Sequence, residues 1–246
     1  SMRSSKIAVV LLLAVLLLSG CSGTQNSGTQ DYESDLKDGE YTVYSKYYDP
    51  WGYGLTFTMK VVSGIVTSVH MTEANTSGAD RLTLSDADKT WDDGDQKLSA
   101  VLGGFYDTLI HRQSADIDAV SGATTTSDSF KLLAEAAFDN AKTGKTSDVI
   151  NDFEWTYTVT NDVDAVSGSQ ETLSITFTGD KMTAVECSEV VNSTALYATG
   201  RIYAGFAETT MQSQTLTAIT SIQDPSEAER YNAMLDQISQ LRQQYK

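Results

Sequence analysis

Apolar and polar positions alternate with a strand-like rhythm in two separate stretches of the chain. Residues 40–46 and 55–62 are rich in Tyr, Thr, Val and Phe and flank a turn-dense loop, Asp49-Pro50-Trp51-Gly52-Tyr53-Gly54. After the tight-turn pair Ser63-Gly64, residues 65–71 alternate again, with Val69 and Met71 on one side. Three strands joined by short turns make an antiparallel meander. The same order returns at residues 154–160, 172–178 and 182–190, with Gly179-Asp180 as the tight turn, at an offset of roughly 115 residues. This pattern predicts a diverged internal duplication.

Between and after these stretches the period changes to that of a helix. Leu98, Val101, Leu102, Phe105 and Leu109 make one stripe over residues 98–110. Phe130, Leu133, Ala134, Ala137, Phe138 and Ala141 make a second, and Ala228, Tyr231, Leu235, Ile238 and Leu241 a third, starting at Pro225 and predicted to run through 244. Residues 194–222 are mixed. The fold class that results is α+β: antiparallel meander sheets with packed helices, a first domain at 38–145 and a second, smaller α+β domain at 150–246.

The N-terminus has a different character. Arg3 and Lys6 precede Ile7–Leu18, a run of 12 residues made only of Ile, Ala, Val and Leu. Such a run is short of the ~30 Å hydrocarbon core, so it predicts a secretory signal over residues 1–20 rather than a spanning helix. Leu18-Ser19-Gly20-Cys21 resembles a bacterial lipoprotein cleavage box, which implies cutting before Cys21 and lipidation of its thiol. Acyl chains there would anchor the chain to a membrane through apolar burial. Residues 21–37, polar and rich in Gly, Ser and Gln, then read as a flexible tether.

Charge narrows the range of partners. The chain of 246 residues carries 17 Lys and Arg against 33 Asp and Glu, a net charge of −16. That balance disfavours nucleic acid and anionic headgroups as partners of the folded part. Two cysteines and two histidines leave no N/S-ligated zinc site. The acidic stretch 80–96 fails the EF-hand template, because counting back from Gly94 puts Lys89 at the first ligand position. No metal site is expected. Cys187, in a strand-like stretch, reads as a small apolar residue rather than a redox centre.

Chemistry concentrates in Asp118-Ala119-Val120-Ser121-Gly122-Ala123-Thr124, followed by Thr125, Thr126, Ser127 and the second apolar stripe. A glycine-containing turn thus leads directly into a helix start. Helix starts carry unpaired N–H groups and partial positive charge, which favour phosphate. Gly122 allows a left-handed backbone and close approach of a ligand, and Ala123 adds little bulk. Thr125, with Asp128 three residues on, or Ser127 itself, is the expected helix cap. The hydroxyls of Ser121, Thr124, Thr125, Thr126 and Ser127 offer donors to phosphate oxygens or a point of covalent attachment.

This stretch resembles the flavinylation motif of FMN-binding domains. These occur in the C subunit of the sodium-pumping NADH:quinone reductase, the G subunit of the Rnf complex and lipoproteins of flavin-based extracellular electron transfer. The resemblance implies FMN held as a covalent phosphoester on Thr124, installed by a flavin transferase, with Asp118, Ser121, Gly122 and Ala123 in the signature around it. Glu73 to Gly78 stands where relatives carry a Glu-Thr-Pro-Gly element, without the proline, so Glu73 and Gly78 are weaker cofactor-binding candidates. Similarity spans about residues 38–145.

Residues 162–170 repeat the motif as Asp-Val-Asp-Ala-Val-Ser-Gly-Ser-Gln. Gln170 cannot form the ester and a strand follows, so no flavin is expected there; Ser169 is its one candidate. His70 and His111 have no companions and read as surface or core-edge residues. The aromatic cluster around the first loop reads as packing, with Trp51 or Tyr53 as possible neighbours of a flavin ring. The expected protein is a lipid-anchored flavoprotein on the outer side of the cytoplasmic membrane or at the cell surface. It carries electrons from a membrane donor such as a quinone-linked or flavin dehydrogenase, as a carrier rather than a turnover enzyme. The alternative is a ligand- or partner-binding lipoprotein whose flavin motif is vestigial.

Overall fold

Alternating burial builds the first sheet. β1 (Gly39–Ser45), β2 (Gly54–Val62) and β3 (Ile65–Ala74) turn one side inward, with Tyr41, Val43, Leu55, Phe57, Met59, Val61, Val69 and Met71 buried. They form the antiparallel meander the sequence predicts. A fourth strand, β4 (Ser147–Ile150), adds parallel to β1 and gives the order β3-β2-β1-β4. Four residues are too few for alternation to announce a strand, and the sequence reading places none there. The computed structural model describes residues 34–84, 97–192, 194–195 and 197–246, and residues 34–246 form one compact unit.

Two helices cover this sheet. α1 (Leu98–Arg112) packs on β3, burying the expected stripe. α2 (Thr124–Thr143) packs on β1 and β2, and its Phe130 ring lies 5.3 Å from Phe57 and 5.0 Å from Phe105. Since β4 follows α2 and runs parallel to β1, α2 must travel back along the sheet. Its N-terminus therefore sits at the end where β1 finishes, β2 begins and β3 finishes. That places the 118–127 motif at the same end as Asp49–Gly54 and Glu73.

The second half has a sheet of its own. β5 (Glu154–Thr160), β6 (Ser169–Thr178), β7 (Lys181–Val191) and the short β8 (Thr194–Ala195) form an antiparallel sheet in that order. α3 (Tyr197–Ser213) packs on β7, and α4 (Pro225–Leu241) packs on β5 and β6. α3 lies inside the stretch read as mixed: its buried positions Tyr203, Phe206, Ala207 and Thr210 have helical spacing, but a threonine in the stripe and Gly200 and Gly205 in the run hide it. β6 begins at Ser169, three residues earlier than expected. α4 ends at Leu241 rather than 244, because the chain after it turns back onto the first sheet. Tyr245 N–H donates to Lys46 O (2.7 Å) and Tyr48 N–H to Gln243 O (2.9 Å).

Contacts between the halves centre on Arg242. Its guanidinium carbon lies 4.0 Å from the Tyr47 ring centroid and 3.9 Å from that of Phe177, and it donates to Gly179 O. Beside it, Asp180 accepts from Tyr47 Oη (2.7 Å) and Lys46 Nζ (3.0 Å). Residues 34–37, inside the expected tether, run along the first half: Lys37 N–H donates to Ala141 O and Leu36 packs on the core. The expected leader, Cys21, the tether up to residue 33 and most of the acidic loop (85–96) lie outside the described residues. Among the described residues, no helix is long and apolar enough to cross a membrane.

Candidate functional site

The motif folds as the sequence predicts, except at its cap. Gly122 takes φ +80°, and Ala123 N–H donates to Val120 O (2.9 Å), closing a turn. Thr124 is the first residue of α2 and Ala123 its N-cap; no side chain caps the helix, so neither Thr125 nor Ser127 fills that role. Ser127 is buried instead. Its Oγ accepts from Val120 N–H (3.0 Å) and donates to Ala123 O (2.8 Å), tying the turn to the helix that follows it. The first N–H of the helix to find a backbone partner is that of Ser127, on Ala123 O. Ser121, Gly122, Thr124 and Thr125 are exposed, whereas Ala123 and Thr126 are buried.

The result is an exposed hydroxyl, that of Thr124, on the first residue of an uncapped 20-residue helix. Partial positive charge and unpaired donors gather at that point. Thr126 is turned inward, so of the residues expected to bind a cofactor it and Ser127 act as supports.

The chain before the turn is pinned from two helices. Arg112 donates to Asp116 O (3.0 Å) and to the Asp118 carboxylate (3.1 Å), and Lys131 Nζ lies 3.3 Å from Asp116 Oδ1. Asp118 thus pairs with α1. Between α1 and residues 117–120 runs a groove of about 490 Å³, with Val101, Gly104, Phe105 and Thr108 along its helix side.

At the same end of the sheet, Glu73 is buried and its Oε2 accepts from Arg81 Nη1 at 3.0 Å; Arg81 also lies over the Tyr53 ring, 5.0 Å from its centroid. Burial pushes the Glu73 carboxyl up, against the lowering effect of Arg81. Gly78 takes φ +84° in a turn that Asn75 organises by accepting from Ser77 N–H (3.1 Å) and Ala79 N–H (2.9 Å). Asp49 Oδ1 accepts from Trp51 and Tyr53 N–H, both at 2.9 Å. Burial, opposed by these bonds and assisted by the Glu73 charge, pushes Asp49 up to about 7. Trp51 is 62% exposed at the loop tip, whereas Tyr53 is buried. Asp49 and Arg81 escaped the sequence reading, since a lone acid in a turn and a lone base after one carry no pattern.

The second Asp-Ala-Val-Ser-Gly lies in the β5–β6 loop, where Asp164 accepts from Val166 and Ser167 N–H, and a strand follows it. Ser169 is buried, and its Oγ meets Glu171 and Glu189. Glu171, fully buried, also receives Arg230 Nε (2.7 Å) and Tyr203 Oη (3.2 Å). Cys187 is half-buried, and burial pushes its thiol up to about 12, in keeping with an unreactive residue. His70 lies beside Tyr106, ring centroids 5.8 Å apart. Among the described residues, no group of three or more His, Cys, Asp or Glu is arranged to hold a metal ion.

An α+β fold that presents a glycine turn, an open helix start and an exposed threonine has the features of a phosphate-holding module. Residues 51–139 match the family model of the FMN-binding domain, and over that stretch the chain carries a domain of this family. Two solved structures are similar. One is the crystal structure of a Clostridium perfringens protein, 33% identical over 47% of this chain and 97% of that one, with a TM-score of 0.44. The other is the solution structure of a Clostridium thermocellum protein, 26% identical over 43% of this chain and 92% of that one, with a TM-score of 0.33. No curated protein matches the chain.

Proposed function

We propose that this FMN-binding protein holds its cofactor covalently, as a phosphoester on Thr124 Oγ1, and uses it to carry electrons on the outer side of a bacterial membrane. The observation that carries the reading is the exposed Thr124 hydroxyl at the first position of an uncapped helix, beside a glycine turn that leaves room for a phosphate. Attachment requires an activated flavin nucleotide and a flavin transferase. The Thr124 oxygen bonds to phosphorus, its proton is taken up by base, and the leaving group departs from the phosphate. When bound, FMN supplies one- and two-electron chemistry, while the chain supplies attachment and surroundings. Exposed Trp51, at the same end of the sheet, is suited to lie against a flat ring.

A covalent link suits an exported carrier, because a released cofactor would be lost to the surroundings. The lipoprotein-like box at Cys21 supports a lipid anchor, and an acidic tethered domain suits exchange of electrons with a membrane donor such as a quinone-linked or flavin dehydrogenase. The test is co-expression with a flavin transferase. The chain should be yellow after denaturation, Thr124→Ala should be colourless, and Thr125→Ala should keep its colour. A wild-type chain that stays colourless beside an active transferase overturns the reading in favour of a binding lipoprotein.

A further inference from the structure

The two halves correspond residue by residue. The bulge in the β2–β3 hairpin falls between Lys60 and Val61, and that in β6–β7 between Thr176 and Phe177. Val61 then pairs with Val66, and Phe177 with Met182, so the strands correspond at a spacing of 116 (61 to 177, 66 to 182). Each first helix ends on a left-handed glutamine, Gln113 with φ 52° and Gln214 with φ 55°. Gln113 Oε1 accepts from Val66 N–H (2.8 Å), and its Nε2 donates to Val66 O (3.0 Å). Gln214 Oε1 accepts from Met182 N–H (2.9 Å), and its Nε2 donates to Met182 O (3.0 Å). A two-bond clasp from a strained C-cap onto the second residue of the hairpin's return strand is not dictated by a meander as such.

From the clasp onward the spacing is 101 (113 to 214). Thr124 opens α2 and Pro225 opens α4, and the buried stripe Ser127, Phe130, Leu133, Ala134, Ala137 recurs as Ala228, Tyr231, Met234, Leu235, Ile238. A groove of about 460 Å³ lies in the second half, and nine of its ten lining positions are 101 residues on from positions lining the first groove. Gly104, Phe105 and Thr108 become Gly205, Phe206 and Thr209.

What differs is the helix start. Ser121-Gly122-Ala123-Thr124 becomes Ile222-Gln223-Asp224-Pro225. The hydroxyl is gone, proline removes an N–H donor, a carboxylate stands at the N-cap, and the left-handed glycine is replaced. Each change acts against a phosphate. We infer that residues 154–241 are a second copy of the flavin-holding unit in which Pro225 occupies the attachment position, so that the second groove has lost its anchored ligand and the chain carries one flavin. The inference rests on attachment at Thr124 in the first copy.

The test is a graft. Ile222→Ser, Gln223→Gly, Asp224→Ala, Pro225→Thr and Ala228→Ser, the last supplying the counterpart of Ser127, are introduced together in a Thr124→Ala background and co-expressed with the transferase. Loading should rise from none to about one flavin per chain, on the peptide spanning 222–225, while the wild type carries flavin on the Thr124 peptide alone. A graft with the far-ultraviolet dichroism of its parent and no flavin, beside a loaded wild type, overturns the inference and leaves Thr124 attachment standing. Flavin on any peptide of the wild-type second half overturns it too. A wild type with no flavin overturns both. Should the graft fail to fold, exchange of the whole connection 214–228 for 113–127, equal in length, replaces it; failure of that chain to fold also overturns the inference.

Discussion

The buried hydroxyl of Ser127 accepts the N–H of Val120 at 3.0 Å, seven residues back across the turn that precedes Thr124. It also donates to Ala123 O, so one side chain fixes both ends of the Gly122 turn. Ser127→Ala leaves Val120 N–H unpaired in a partly buried place, at a cost of about 1–3 kcal/mol. Denaturant unfolding should show that loss, and transferase loading should slow more than the loss in stability accounts for. Unchanged loading by a folded Ser127→Ala chain would show that the turn needs no such support.

Most of this site was legible in the sequence because a turn feeding an amphipathic helix is local. Gly122, Ala123 and Thr124 stand as their residue types require. The capping role was not legible: Ser127 can serve a helix end or the turn before it, and only the fold, which buries it under Val120, decides. Alternation marks the strands closely, whereas α3 is hidden in the sequence because Thr210 sits in its buried stripe, satisfied by Phe206 O and Tyr231 Oη. Likewise the end of α4 depends on Arg242 finding two rings far away in sequence, which no local pattern encodes.

Asp49 gives the protein an unusual dependence on pH. Its carboxyl is raised from 3.8 to about 7, so the folded state holds the proton more tightly than the unfolded one. Its contribution is complete below pH ~4 and is lost as pH rises toward ~7, by at most about 4 kcal/mol at ~1.4 kcal/mol per unit. Asp49→Asn keeps an oxygen to accept from Trp51 and Tyr53 and removes the titration. Thermal unfolding at pH 5 and pH 8 should show the variant gaining on the wild type at the higher pH. Parallel curves would contradict the assignment.

Glu171 acts in the opposite sense. Burial pushes its carboxyl up, but hydrogen bonds from Arg230, Asn161 and Ser169 outweigh this and hold it below its ordinary 4.5. Its stabilisation is present above that value and is lost as pH falls below it. Arg230→Ala strands a fully buried carboxylate and should cost about 3–5 kcal/mol at pH 7. Adding Glu171→Gln should recover part of that loss, and a double variant as unstable as the single one would show that the charge is not the cause.

Arg242 stacks between Tyr47 and Phe177, and a planar guanidinium is needed for that geometry. Arg242→Ala should destabilise the chain by about 1–3 kcal/mol, and Arg242→Lys should restore less than half of it. Denaturation midpoints of the three chains decide this, and full rescue by lysine would leave charge alone as the explanation.

Whether Thr124 bears the flavin is decided by peptide-resolved mass spectrometry of the chain made beside an active flavin transferase. The peptide containing Thr124 should carry a flavin mononucleotide mass, less one water, retained through denaturation. That peptide appearing only at its unmodified mass, or the added mass on another residue, would contradict it.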